Sequence, residues 1–220
     1  MHVFLETNWV VASAAPPFQQ VPAAAELANR ALELGMHLHI PSICFSEAVH
    51  PLGTKFRVRH HADTLRQYLL WARPEGSAGA DEEEVVVRRV LDRMESSVRE
   101  HSRDIPGALN ALRQTVGLDI FDLDQEVMTR CTEYSFLSLG LKPFDQMILA
   151  ATIVKSERLI AAGERNVAFC SLDSDLQPWD SKGNPKFPLV DIYDAAGVWV
   201  YRDFTLESPE KREDWRPDLR

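Results

Sequence analysis

The chain opens with the short apolar run His2-Val3-Phe4-Leu5, which ends at the polar residues Glu6-Thr7-Asn8. An apolar run stopped by turn formers predicts a short buried strand. A helical pattern of alanine and leucine residues follows from Pro22. The alternating run His37-Leu38-His39-Ile40 predicts a second strand, and Ser42 is suited to cap the helix after it. Strand, helix, strand and helix in this order predict an α/β protein with a parallel sheet.

The middle of the chain breaks this alternation, because residues 54–117 contain no convincing strand. The sequence predicts helices at 55–73, 84–103, 106–115, 125–138 and 143–155, and further strands at 120–123, 167–172 and 197–201. We therefore predict a three-layer α/β/α sandwich with a central, mostly parallel sheet. It forms a single domain over residues 1–205 with a helical insertion at about 54–117, followed by a loosely attached tail at 206–220.

Composition limits the class of protein. The chain has 220 residues, with 24 basic and 33 acidic side chains and a net charge of −9, which argues against a general DNA-coating protein. It contains no apolar run of about 18 residues and no N-terminal pattern of a secretory signal, so we expect no membrane partner. Cys44, Cys131 and Cys170 lie in apolar surroundings and predict reduced thiols. We therefore expect a cytoplasmic protein.

Four acidic residues are predicted to meet at one edge of the sheet. Glu6 and Asp173 each come directly after an apolar strand, and ligand sites of parallel α/β sheets form beyond the carboxyl ends of strands. Glu47 lies near the start of the helix after the second strand, and Asp145 lies in the first turn of the helix that Pro143 begins. Crowded carboxylates repel unless a cation neutralises them. Mg²⁺ or Mn²⁺ would suit these oxygen ligands and could activate water against a phosphodiester.

Taken singly, each acid also has a simpler explanation. Glu6 could be a solvent-exposed residue at a strand end, and Asp145 could complement the dipole of its helix. Asp173 and Asp175 could shape a turn. Glu47 follows an apolar Ile-Cys-Phe run and is expected to face inward at least in part. The four positions together are more informative than any one of them.

The order and surroundings of these acids resemble the PIN domain family of metal-dependent ribonucleases. The matching blocks are residues 3–8 (VFLETN), 40–47 (IPSICFSE), 145–151 (DQMILAA) and 169–176 (FCSLDSDL). The family has an acid at the end of its first strand, a glutamate in the helix after its second strand, an aspartate leading an Ile-Leu-Ala-Ala helix, and a final strand that ends in a Thr/Ser-x-Asp-x-Asp signature. The four blocks occur here in that order.

This resemblance implies a PIN-like fold and a divalent-metal-dependent endoribonuclease that uses Mg²⁺ or Mn²⁺. The implied catalytic and metal-binding residues are Glu6, Glu47, Asp145 and Asp173, with Asp175 as a further metal ligand. Asn8 and Ser171 would be polar supports of these ligands. RNA would be the substrate, and the resemblance also allows an inhibitor or antitoxin-like protein partner and a homodimer.

The sequence departs from the family pattern in two places. Position 6 is glutamate where the family usually has aspartate, and the extra methylene displaces the carboxylate from the position an octahedral ion requires. A second hypothesis follows, in which the chain is a catalytically inactive PIN-like scaffold that binds RNA or a protein partner. The long helical insertion makes the chain larger than a compact toxin-type PIN domain, which weakens an assignment to a toxin–antitoxin pair.

A basic segment follows the Glu47 helix. Residues 55–73 contain five lysine or arginine residues against one aspartate, and we predict that Lys55, Arg57 and Arg59 contact the phosphate backbone of a substrate. The alternative is a solvated helix face whose charges pair with the acidic run at 81–84.

Other chemistries lack their motifs. The sequence contains no His-Glu-x-x-His, no Cys-x-x-Cys, no glycine-rich nucleotide loop and no Gly-x-Ser-x-Gly. The pair Asp173-x-Asp175 is similar to the aspartate pair of haloacid-dehalogenase-type phosphatases, although that pair belongs to the first strand of its domain. A phosphatase acting on small phosphoesters is therefore a third, weaker hypothesis.

Overall fold

Five parallel strands form the central sheet of a computed structural model, which describes residues 1–16, 20–54, 63–67 and 80–206. The strands are β1 (His2–Leu5), β2 (His37–Pro41), β3 (Leu118–Phe121), β4 (Val167–Cys170) and β5 (Val198–Tyr201). Their order across the sheet is β3-β2-β1-β4-β5. The predicted α/β class and sandwich are confirmed, and every strand pair is parallel.

Seven helices flank this sheet within the described ranges, in addition to the short helical stretch 63–67. They are α1 (Thr7–Ala14), α2 (Pro22–Glu33), α3 (Ile43–Thr54), α4 (Ala80–Arg113), α5 (Gln125–Ser135), α6 (Pro143–Ala161) and α7 (Leu189–Ala195). α1 packs against α3 and α4, whereas α5 packs against α6. The chain moves outward from β1 to β3 and then returns beside β1 as β4, so right-handed crossovers place these two groups of helices on opposite faces.

The strand order creates a switch point between β1 and β4. In sheets of this kind, the crevice beyond the carboxyl ends of the two strands at the switch point is the usual ligand site. Leu5 pairs with Cys170, so Glu6 and Ser171 leave the sheet side by side. Glu6 directly follows β1, and Asp173 lies in the loop after β4, which ends at Cys170 and not at the predicted residue 172, so both acids lie at this crevice.

Burial explains why β1 and β4 sit at the centre. All four residues of each strand are buried, as expected for parallel strands covered by helices on both faces. The core between sheet and helices is built from aliphatic and aromatic side chains such as Phe4, Trp9, Phe169 and Tyr193. The Trp9 indole N–H also donates a hydrogen bond to the Ala24 carbonyl at 3.0 Å, which joins α1 to α2.

Several predicted boundaries were wrong. Residues 84–103 and 106–115 belong to one helix, α4, with Pro106 inside it. Proline removes one helical hydrogen bond, but Ile105 and Leu109 are one turn apart and both buried against the core, which holds the helix together across it. The strand predicted at 120–123 runs from Leu118 to Phe121. The Asp124 carboxylate caps α5 by accepting from the Val127 amide at 3.1 Å, so the chain must leave the sheet before it.

Other differences concern helices and the ends of the chain. α1 and α7 were not predicted, α6 extends beyond residue 155 to Ala161, and α5 ends at Ser135, before residue 138. Most of the predicted helix at 55–73 lies outside the described residues, as do residues 207–220 of the predicted tail. None of the described helices is long and apolar enough to cross a lipid bilayer.

Candidate metal centre

A cleft of about 440 Å³ lies at the carboxyl edge of the sheet, beyond the switch point. Its lining includes all four acids predicted to meet there, namely Glu6, Glu47, Asp145 and Asp173. β1 positions the first, α3 the second, the N-terminus of α6 the third and the loop after β4 the last. The sheet topology thus brings together residues that are as much as 167 positions apart in sequence.

Asp145 is the most constrained of these acids. It is only 6% exposed, and its Oδ2 atom is buried without a hydrogen-bond partner among the described residues. Burial, followed by the charges of Asp173 and Glu47, raises its pKa from 3.8 to about 6, while the charge of Lys142 lowers it. An unpaired buried carboxylate oxygen is costly, which indicates that the group is arranged to receive a cation or a proton.

Two aspartates of the loop after β4 lie next to Asp145. One carboxylate oxygen from each of Asp145, Asp173 and Asp175 lies within 4.8 Å of the others. Asp145 is buried, Asp173 is half-buried and Asp175 is exposed, so the group opens from the protein interior to solvent. Three carboxylate oxygens at this separation can share one oxygen-seeking divalent ion.

The loop that carries the two aspartates is held by its own hydrogen bonds. The Asp173 amide donates to Ser171 Oγ at 3.1 Å, and the Asp175 amide donates to Asp173 Oδ1 at 2.8 Å. The Gln177 side chain donates to the Ser171 carbonyl at 3.0 Å. Ser171, predicted as a polar support, therefore contacts the Asp173 backbone and holds this residue in place in the loop after β4.

Glu6 has a different environment from the three aspartates. It is 2% exposed, and each of its carboxylate oxygens accepts a backbone N–H: Oε2 from Asn8 at 2.7 Å and Oε1 from Leu172 at 3.1 Å. Burial raises its pKa from 4.5 to about 7, against the lowering effect of these hydrogen bonds. Glu6 lines the cleft but also caps α1 and ties the end of β1 to the loop after β4. It does not belong to the three-oxygen group.

Glu47 and Asn8 occupy the wall of the cleft formed by α3 and α1. Glu47 is half-buried, and its Oε2 accepts a short hydrogen bond from the Thr7 hydroxyl. The Asn8 side chain lines the cleft and also hydrogen-bonds to Glu6, where it lowers the pKa of that carboxyl. The predicted support by Asn8 thus has a contact in the structure.

The predicted substrate-binding residues Lys55, Arg57 and Arg59 lie outside the described residues. Arg66, from the same basic segment, forms ion pairs with Asp63 and Glu95. A basic side chain of this segment thus pairs with acidic side chains, as the solvated-face alternative expects. The partners are Asp63 and Glu95 and not the acidic run at 81–84.

Six further residues that line the cleft were missed by sequence reasoning. They are Thr7, Val11, Ser46, His50, Pro51 and Phe144. Phe144 directly precedes Asp145, and His50 lies one helical turn after Ser46 on α3. The sequence spacing of these residues from the predicted acids could have indicated that they line the same cleft. The Lys186 ammonium also contacts the acidic loop, where it donates to the backbone carbonyls of Ser174 and Asp175.

Comparison of the chain with family models, curated proteins and solved structures gives no match. The resemblance to the PIN domain family therefore stays a prediction that rests on four sequence blocks. The geometry of the cleft stands independently of that resemblance.

Proposed function

We propose that the protein is a divalent-metal-dependent endoribonuclease whose metal site is the cleft beyond β1 and β4. The observation that carries this proposal is the buried, unpartnered Oδ2 of Asp145. Asp145 also forms a group with Asp173 and Asp175, in which one carboxylate oxygen of each residue lies within 4.8 Å of the others. An orphaned buried oxygen among other acids is unfavourable in the absence of a positive partner.

The residues fit a hard divalent ion. All three donors are carboxylate oxygens, which Mg²⁺ and Mn²⁺ prefer over the nitrogen and sulfur ligands of zinc sites. The group is open on the Asp175 side, which leaves room for water and a substrate phosphate. A divalent ion bound there supplies charge neutralisation and a water of lowered pKa.

The protein groups around this site have separate roles. Asp145, Asp173 and Asp175 would hold the ion, and Glu6 positions the loop that carries two of them through its bond to the Leu172 amide. The Thr7 hydroxyl fixes Glu47 Oε2, and we assign Glu47 Oε1 as the atom that accepts the proton of the attacking water. The reaction would be hydrolysis, in which the water attacks phosphorus in line with the phosphorus–oxygen ester bond that breaks, and the departing ribose oxygen takes up a proton.

A second candidate, the inactive scaffold that binds RNA or a protein partner, is favoured by one observation. Both oxygens of Glu6 are already used by backbone amides, so Glu6 is a poor metal ligand where the PIN pattern requires one. In that case the cleft would bind a cation without supporting hydrolysis.

Cleavage of RNA in Mg²⁺ or Mn²⁺ tests the proposal, with wild type compared with Asp145→Asn. The matched control is Asp191→Asn, which removes an exposed first-turn aspartate from α7. We expect cleavage by the wild type and the control and at least a hundredfold loss for Asp145→Asn (about 2.7 kcal/mol of transition-state stabilisation). Equal activity of all three proteins overturns the catalytic assignment.

Two further assays separate the alternatives. Metal-induced stabilisation without any RNA cleavage supports the inactive scaffold. Rapid hydrolysis of a chromogenic phosphate monoester, with no cleavage of RNA, supports the phosphatase.

A further inference from the structure

Two exposed apolar side chains are sequence neighbours of the proposed metal ligands. Phe144 and Leu172 are each 42% exposed, and each directly precedes one of the proposed metal ligands, Asp145 and Asp173. Single exposed apolar residues are ordinary on protein surfaces. Phe144 is more specific than a scattered surface residue, because its side chain also lines the cleft that holds the acids.

The start of α6 explains how Phe144 comes to lie there. Pro143 is the first residue of the helix, so Phe144 and Asp145 occupy its second and third positions. Successive helical residues are rotated by about 100°, so a carboxylate turned into the cleft leaves the preceding ring at the rim. Asp145 is buried, whereas Phe144 lines the cleft and stays partly in solvent.

Apolar side chains from three helices line the cleft among its polar groups. They are Phe144 from α6, Val11 from α1 and Pro51 from α3, and Phe144 is the one with a flat ring. Lys142, two residues before Phe144, places a positive charge close enough to lower the Asp145 pKa. A ligand that suits this cleft combines an anionic group for the metal and the Lys142 charge with a flat apolar group for the Phe144 ring.

We propose that Phe144 forms the aromatic wall of a nucleobase subsite, where it stacks on the base of the nucleotide next to the phosphate held at the three aspartates. The proposal rests on the proposed nuclease function and adds to it a residue that selects a nucleic acid strand over small phosphoesters. Stacking on one ring requires an unpaired base, since the faces of a base in a duplex are covered by its neighbours.

Fluorescence anisotropy tests the subsite with a labelled single-stranded RNA of about twelve nucleotides, in Ca²⁺ to neutralise the carboxylates. Phe144→Leu keeps an apolar side chain and removes the aromatic face. Phe136→Leu is the matched control, because Phe136 is 82% exposed and does not line the cleft. We expect Phe144→Leu to weaken binding on the order of 5- to 100-fold and Phe136→Leu to leave it unchanged.

An RNA of the same length whose bases are replaced by abasic sites completes the cycle. If Phe144 stacks on a base, wild type and Phe144→Leu bind the abasic strand equally weakly. The subsite is overturned if Phe144→Leu binds intact RNA as tightly as wild type does, or if it weakens binding of intact and abasic strands by the same factor.

Thermal unfolding in Mn²⁺ separates this failure from failure of the proposed function. Phe144→Leu is expected to keep the full Mn²⁺-induced rise in Tm, because the ring is not a ligand. A wild type that shows neither a Mn²⁺ response nor RNA binding overturns the proposed function and the subsite together. A wild type that responds to Mn²⁺ and binds RNA, with no effect of Phe144→Leu, overturns the subsite alone.

Discussion

Replacing Asp145 with asparagine is expected to make the metal-free protein more stable at alkaline pH. Burial and neighbouring negative charges raise the Asp145 pKa from 3.8 to about 6. The folded protein therefore retains a proton that the unfolded chain has already released, and the free energy of unfolding falls as pH rises through this window. At ~1.36 kcal/mol per pH unit, ionisation of Asp145 costs the fold about 3 kcal/mol by pH 8.

Asparagine keeps the shape of the protonated side chain and cannot ionise, so it avoids this cost. It also gives up the favourable interaction of a carboxylate with the α6 dipole, about 0.3–1 kcal/mol. We expect Asp145→Asn to be about 2 kcal/mol more stable than wild type at pH 8 and nearly equal to it at pH 4. Urea unfolding across pH 4 to pH 8 in EDTA measures the difference. Asp191→Asn, at an exposed first-turn position, controls for the dipole alone.

Divalent metal is expected to reverse the order of the two proteins. A ligand present at a hundred times its Kd stabilises a folded protein by about 2.7 kcal/mol, and only the wild type retains the buried oxygen that binds it. The reasoning is refuted if Asp145→Asn is less stable than wild type at pH 8 in EDTA. It is equally refuted if both proteins gain the same stability from Mn²⁺, because Asp145 would then be an ordinary helix-terminal acid.

Two other substitutions test neighbouring parts of the structure. Thr7→Val removes the hydroxyl that donates to Glu47, and we expect it to cost about 1 kcal/mol in urea unfolding. It should also lower kcat for RNA, while the Mn²⁺-induced rise in Tm persists. An unchanged kcat would contradict the role of Glu47. His39 is buried and hydrogen-bonded to His2 at 2.9 Å, a contact that needs one neutral ring, and burial lowers the His39 pKa below 6.5. Its neutral form is favoured in the fold, so wild type should lose its stability advantage over His39→Gln as pH falls from 7.5 to 5.5, and a growing advantage would refute this.

The sheet and the convergence of acids were predictable because both follow from local pattern and topology. Glu6 directly follows β1 and Asp173 lies in the loop after β4, and parallel strands present their carboxyl ends at one edge. Short apolar runs bounded by turn formers were sufficient to find the five strands of the described residues, with ends displaced by up to two residues. β3 is the strand whose two ends both lie two residues before the predicted ones. Its end depends on the hydrogen bond by which Asp124 caps α5, and a strand pattern does not reveal that bond.

The sequence could not predict which acids stabilise the fold and which form the three-oxygen group, because these roles depend on hydrogen bonds between distant residues. Glu6 and Asp145 look alike in sequence, because each is a single acid next to an apolar element. In the structure one carboxylate accepts two backbone amides, whereas the other has an unpartnered oxygen. The helix α1 was missed for the same reason: Glu6 was interpreted as the end of a strand, although its side chain also caps the helix that follows.

The glutamate at position 6 can be understood from what its extra methylene reaches. An aspartate at the N-cap would still accept from the Asn8 amide, since aspartate is a favourable capping residue. Its shorter side chain would not span to the Leu172 amide, which Glu6 Oε1 contacts at 3.1 Å across the switch point. Glu6→Asp should therefore remove this link between the end of β1 and the loop that carries Asp173, take away the partner of the Leu172 N–H and cost about 1–3 kcal/mol in urea unfolding at pH 5.5.

The same substitution decides between the two proposed functions. If Glu6 is a positioning residue of an active nuclease, Glu6→Asp lowers RNA cleavage and weakens Mn²⁺ binding, because two of the three aspartates lose their anchor. If the site is a degenerate one in which Glu6 stands in place of a metal ligand, restoring aspartate increases cleavage. We expect the loss of cleavage, because the Glu6 carboxylate is 2% exposed and both of its oxygens accept backbone hydrogen bonds. These bonds stabilise the fold and leave Glu6 poorly placed to bind an ion.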